Sequence, residues 1–141
     1  MTLVPDRRWW VVRLNRRGRV YSCRVLRSFI FAFSGLAYLF RTQRNARIHT
    51  VVAVSACLAA AWLKISRQDW AILILTIALV LILEGLNTAI EAVVDLAAPD
   101  YHDLAKTAKD VSAAMVLIAA MASVLVGLLI LGPPLWHRLF D

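Results

Sequence analysis

The chain has 141 residues, of which 61% are hydrophobic, and its mean hydropathy is +0.70. This hydrophobic fraction is above the ~45–50% that is usual for soluble domains. Its net charge is +7, and eleven of its sixteen Lys and Arg residues precede position 49, against one acid there, Asp6. Because this basic segment adjoins long apolar runs, we expect it to meet an anionic membrane surface and no nucleic acid. The N-terminus is then cytoplasmic.

The N-terminal region divides into a tail and a helix. Pro5 and Gly18 interrupt an arginine-rich stretch, so we predict a flexible basic tail over 1–20 that touches lipid headgroups. Over 21–46, arginines flank an apolar side, and this pattern predicts an amphipathic helix that lies on the membrane surface. The large side chains on that side are Phe29, Phe33, Leu36 and Phe40.

Three apolar runs follow, and each is long enough to cross a bilayer. They lie at about 48–65, 70–95 and 110–131. The connection over 66–69 is so short that the first two spans must run antiparallel. We expect 97–110 to be the cytoplasmic loop, Gly132-Pro133-Pro134 to end the third span, and 136–141 to form a C-terminal tail. Residues 21–135 then make one membrane domain.

The second span carries a polar stripe on its inner half. Glu84, Asn87, Glu91 and Asp95 fall within roughly 80° of one another at the α-helical period. A carboxylate near the bilayer core costs at least ~2.5 kcal/mol, so such residues are functional candidates. The alternative is a polar seam that only joins helices.

The spacing of the two glutamates limits their chemistry. Seven residues of helix separate Glu84 from Glu91 by about 10 Å, too far for both to bind one ion. The pair suits two roles: a deep carboxylate that meets a lipid hydroxyl, and a shallow one that holds a divalent ion. The sequence contains no glycine-rich phosphate loop, HExxH or CxxC motif.

The segment EGLNTAIEAVVD over 84–95 resembles the signature of the prokaryotic diacylglycerol kinase and undecaprenol kinase family, as do YH at 101–102 and AKD at 108–110. NARIH over 45–49 is similar as well, and the resemblance extends from about 24 to 131. It implies an all-α membrane protein with a surface helix and three transmembrane helices. It also implies a homotrimer whose active sites lie between subunits at the cytoplasmic face of the bacterial inner membrane.

The resemblance also implies residue roles. Glu84 would be the general base, Asn87 would help place it and the lipid substrate, and Glu91 would hold Mg²⁺ on the ATP phosphates. The nucleotide site would comprise Arg24, Gln43, Glu91, Asp100, Tyr101, His102, Lys109 and Asp110. Two positions depart from the family: Gln43 stands where members carry a metal-binding Glu, and Ala113 where the diacylglycerol-type enzyme has Ser. At the position of a metal ligand, Gln43 offers a carbonyl oxygen but no negative charge, which predicts weaker Mg²⁺ binding.

The predicted function is ATP-dependent phosphorylation of a membrane lipid alcohol, with diacylglycerol as the leading substrate and undecaprenol as the alternative. A distant alternative is a non-enzymatic oligomer with a cation pathway lined by Glu84, Asn87 and Glu91. Against a pathway, Ala71 to Leu83 offers Thr76 as its one polar side chain, so the outer half of the span lacks a polar lining.

Overall fold

The computed structural model describes residues 21–140, with side chains from residue 27 onward. The described chain is all α-helical: α1 spans Tyr21–Thr42, α2 Arg44–Leu63, α3 Arg67–Ala97 and α4 Asp103–Phe140. The last three are long and apolar enough to cross a membrane. The predicted fold class of one helix followed by three candidate spans is thus confirmed. The predicted flexible tail over 1–20 lies outside the described residues.

Helix α1 ends four residues earlier than the predicted 46. Gln43 has an extended backbone, with φ −95° and ψ 116°, and acts as the N-cap residue of α2. Arg44, expected on the surface helix, is therefore the first residue of α2.

The chain divides into two compact units within α1, between Gly35 and Leu36. In the first unit, the described side chains over 27–35 are all exposed. In the second unit, Leu39 is buried, and a Cβ built on Gly85 would lie 3.9 Å from its Cδ2 atom. The end of α1 therefore packs against α3 next to the start of the polar stripe.

A three-residue connection joins α2 to α3. Lys64 adopts the left-handed conformation with φ 54°, and the N–H groups of Lys64 and Ile65 donate to carbonyls in the last turn of α2. Ser66 caps α3: its Oγ accepts from the Asp69 N–H over 3.2 Å and donates to Asp69 Oδ2 over 2.7 Å. A connection this short makes α2 and α3 antiparallel neighbours.

Helix α4 is longer at both ends than predicted. It begins at Asp103, so the loop between α3 and α4 is only 98–102 and not 97–110. At the other end, Gly132-Pro133-Pro134 does not stop the helix, which continues to Phe140 through the predicted tail. Proline is tolerated in long apolar helices because neighbouring groups compensate for the lost hydrogen bonds. Here the last turns rest on α2, where the Arg138 guanidinium carbon lies 4.9 Å from the centroid of the Trp62 ring.

The core lies mainly between α3 and α4, with α2 against both. Toward the start of α3 its buried face is apolar, with Leu73 and Val80, and Val116 and Ala119 are buried on α4. Closer to the loop the same face becomes polar. The buried polar residues are Glu84, Asn87, Thr88 and Ser112.

Candidate active site

Glu84 is the most deeply buried large side chain of the described chain, at 1% exposure. No hydrogen bond joins its carboxylate to another side chain among residues 27–140. The Glu84 carboxylate interacts electrostatically with two ionisable groups: His49 of α2, and Glu91 two turns further along α3. The neighbouring Thr88 hydroxyl donates to the Glu84 backbone carbonyl over 2.9 Å, so it does not compete for the carboxylate.

Asn87 joins the stripe to the next helix. Its Nδ2 donates to Glu91 Oε1 over 2.9 Å, and its Oδ1 accepts from the Ser112 hydroxyl of α4 over 2.6 Å. Asn87 and Ser112 are both buried, and Glu91 is half-buried. The structure thus brings three of the four stripe residues onto the buried face, while Asp95 is 67% exposed.

The loop and the ends of α3 and α4 surround a cavity of ≈330 Å³. Five residues predicted for the nucleotide site line it: Asp100, Tyr101, His102, Lys109 and Asp110. Lys109 Nζ pairs with Asp95 Oδ1, which also lines the cavity, and the Tyr101 hydroxyl donates to Asp103 Oδ1 over 2.9 Å. These residues carry both charge signs and an exposed aromatic ring, groups that can contact phosphates and a base.

Gln43 and Glu91, also predicted for the nucleotide site, do not line this cavity. Gln43 is half-buried at the start of α2, and no hydrogen bond joins its side chain to Glu91 within the described part of the chain. The side chain of Arg24 lies outside the described residues. Ala113, noted as a departure, is exposed on α4, whereas its neighbour Ser112 faces α3.

The donor set suits a magnesium ion that arrives with a nucleotide. Among the described residues, no three His, Cys, Asp or Glu side chains are grouped to hold a metal. Mg²⁺ needs no such cage, since it usually binds one or two carboxylates together with substrate phosphates. Glu91 has one carboxylate oxygen bonded to Asn87, which leaves the other oxygen as a hard ligand.

Comparison with known proteins shows the family of this chain. The family model described as "Prokaryotic diacylglycerol kinase" matches residues 30–131. This chain belongs to that family. The predicted family is therefore confirmed, and its members are lipid kinases.

Three relatives show the range within the prokaryotic diacylglycerol kinase family. The chain is 52% identical to a diacylglycerol kinase of Synechocystis over 79% of its own length and 64% of that relative, so it spans less than two thirds of that protein. It is 39% identical to an undecaprenol kinase of Bacillus subtilis over 79% of its length and 91% of the relative. With a diacylglycerol kinase of Escherichia coli, identity is 35% over 72% and 84% of the two chains.

Two residues of this family member have contacts that the sequence did not reveal. Ser112 has no role in the sequence-based prediction, although its hydroxyl stands one turn after Lys109 near the start of the third span. His49 was noted as part of the resemblance but received no role. It also lines an apolar cavity of ≈160 Å³ between α2, α3 and α4, together with Leu73, Val80 and Val124.

Proposed function

We propose that this protein transfers the γ-phosphoryl group of ATP to the hydroxyl of a membrane lipid, with diacylglycerol as the leading substrate. The observation that carries the proposal is Glu84, which is 1% exposed inside an apolar helix and one turn from Asn87. A carboxylate at this depth in a membrane-spanning helix is a functional candidate. A lipid hydroxyl that reaches it could donate a hydrogen bond to it.

In the proposed reaction, Glu84 accepts the proton of the lipid hydroxyl while that oxygen attacks the γ-phosphorus and the bond to the ADP oxygen breaks. Asn87, one turn away, orients the groups around the base. Phosphoryl transfer demands positioning and charge neutralisation more than covalent catalysis, so one base and a well-ordered charged site are sufficient.

The nucleotide is proposed to occupy the loop cavity. Lys109 would pair with phosphate oxygens and Tyr101 would stack on the base, beside Asp100, His102 and Asp110. Glu91 would hold the Mg²⁺ carried by ATP, and Gln43 and Arg24 remain proposed contributors. When bound, the ion neutralises charge on the phosphates.

The proposed assembly is a homotrimer in the bacterial inner membrane, with the loop on the cytoplasmic side and active sites shared between chains. Within one chain, the apolar windows of the three candidate spans are only 11%, 22% and 11% buried. Much apolar surface is thus left for lipid and for other copies. The arginine-rich N-terminal third supports the cytoplasmic orientation.

The deciding experiment uses purified protein in lipid nanodiscs with MgATP, supplied separately with diacylglycerol, undecaprenol or no added alcohol. We expect phosphatidic acid to form, with turnover on diacylglycerol exceeding that on undecaprenol. The reverse order would favour the substrate named for the Bacillus subtilis relative. If neither lipid is phosphorylated, the proposal is wrong. The mass of the solubilised complex tests the trimer separately.

A further inference from the structure

The contact between Ser112 and Asn87 is the one side-chain hydrogen bond that ties α4 to the buried part of the stripe within residues 27–140. The donor is the Ser112 hydroxyl and the acceptor is Asn87 Oδ1, at 2.6 Å. The remaining side-chain bond from α4 to α3, between Lys109 and Asp95, lies at the exposed end of the helices. Ser112 is therefore the point at which α4 contacts the proposed catalytic residues.

The chemistry of the three groups fixes the direction of the chain of hydrogen bonds. An ionised Glu91 carboxylate can only accept, so it requires the Nδ2 side of the Asn87 amide. The amide oxygen then points the opposite way and needs a donor. Ser112 supplies that donor. A half-turn of the amide would break the bond to Glu91 and place the amide oxygen against the carboxylate oxygen, two acceptors together.

The Ser112 hydroxyl has a choice of acceptors. Its oxygen lies 2.6 Å from Asn87 Oδ1 and 2.9 Å from the Lys109 backbone carbonyl, and a hydroxyl has one hydrogen to donate. A serine in any helix can donate to a backbone carbonyl of the preceding turn. The shorter distance to Asn87 favours the bond between helices.

We propose that Ser112 is a positioning residue: by donating to Asn87 it holds the amide in the orientation that aligns Glu91 to bind the metal of the nucleotide. The inference rests on the proposed function, because Glu91 as a metal ligand belongs to it. Ser112 touches neither lipid nor nucleotide in this account and acts through Asn87 alone.

The test measures metal binding directly. Free Mn²⁺, which substitutes for Mg²⁺, is followed by electron paramagnetic resonance in the presence of a non-hydrolysable ATP analogue, with the full-length protein in nanodiscs. We expect Ser112→Ala to raise the dissociation constant of Mn²⁺ about 3- to 10-fold, the effect of one neutral hydrogen bond. The matched control is Ser123→Ala, because the Ser123 hydroxyl donates only to the Ala120 carbonyl of its own helix.

A double-mutant cycle separates positioning from a general packing effect. If Ser112 acts through Asn87, then Ser112→Ala should change Mn²⁺ binding by less than about twofold in an Asn87→Ala background. Ser112→Thr, which keeps the hydroxyl, should bind Mn²⁺ more tightly than Ser112→Ala.

The inference is wrong if Ser112→Ala binds Mn²⁺ as tightly as Ser123→Ala, or if Ser112→Ala weakens binding equally with and without Asn87. A wild-type protein that binds no Mn²⁺ with the analogue, and phosphorylates no lipid, would overturn the proposed function and this inference with it. Wild-type binding with an indifferent Ser112→Ala variant would overturn the inference alone.

Discussion

Asn87 donates a 2.9 Å hydrogen bond to Glu91, one turn closer to the loop on the same face of α3. This bond occupies one oxygen of the Glu91 carboxylate, while the other stays available as a ligand. It also links the buried Asn87 to the half-buried Glu91.

The first prediction concerns the proposed base. Glu84→Gln keeps the shape of the side chain but cannot take up the hydroxyl proton, so turnover should fall by ~10²–10⁴-fold. The assay is transfer of labelled phosphate from ATP to diacylglycerol, with Mn²⁺ binding measured in parallel and expected to persist. Thr76→Ala is the control, since its hydroxyl donates only to the Ile72 carbonyl on the same helix. A Glu84→Gln variant within about threefold of wild type would contradict the assignment.

The second prediction concerns Glu91. Glu91→Gln removes a negative oxygen from a site proposed for a hard cation, so the Mg²⁺ concentration for half-maximal activity should rise much more than the KM for lipid. Both quantities are measured at fixed ATP. An unchanged Mg²⁺ midpoint together with weaker lipid binding would reassign Glu91 to the lipid site.

The third prediction concerns the departure at Gln43. Gln43→Glu should lower the Mg²⁺ midpoint, because a second carboxylate near the proposed site adds an anionic ligand to the metal-bound form and destabilises the empty form by repulsion with Glu91. The matched control is Gln68→Glu, which makes the same change at an exposed position at the start of α3. Equal midpoints in wild type and Gln43→Glu would mean that this side chain does not reach the metal.

The fourth prediction concerns the ion pair between Lys109 and Asp95. If Lys109 binds nucleotide phosphates, Asp95 competes for it and also repels them. Asp95→Asn should therefore lower the KM for ATP by about two- to fivefold, the range for a partly exposed pair. The effect should shrink as salt increases. Asp69→Asn, at the start of α3, serves as the control, and a KM that rises in Asp95→Asn would indicate that the carboxylate itself contributes to nucleotide binding.

Helical periodicity explains why the placement of the candidate residues on α3 was predictable. Glu84, Asn87 and Glu91 repeat at intervals that any α-helix places on one face. Glu84 and Asn87 are indeed buried, and Asn87 is hydrogen-bonded to α4. The loop residues were predictable for a related reason. A short break between two antiparallel helices brings their adjoining ends together, and the loop cavity is the result.

The contacts between helices were not predictable in the same way. Whether Ser112 or Ala113 faces Asn87 depends on the rotation of α4 about its own axis. The apolar sequence of α4 does not determine that rotation. The length of α4 was mispredicted for another reason. Proline is a strong helix terminator in water, but the chain at Pro133 and Pro134 continues as a helix beside α2.

The continuity of α3 has a consequence for which lipids can react. Arg67–Ala97 is one uninterrupted helix, so the rise from Glu84 to Glu91 is set by helix geometry at about 10 Å and does not adjust to the substrate. With the proposed roles, this rise fixes the distance, across the membrane interface, between the base and the residue that holds the metal. The protein would select a hydroxyl by its depth below the headgroups more than by the chain attached to it. Glu84 would then not distinguish a glycerolipid from a polyprenol whose hydroxyl lies at the same depth. Any preference for one lipid tail would have to arise from contacts elsewhere along the helices.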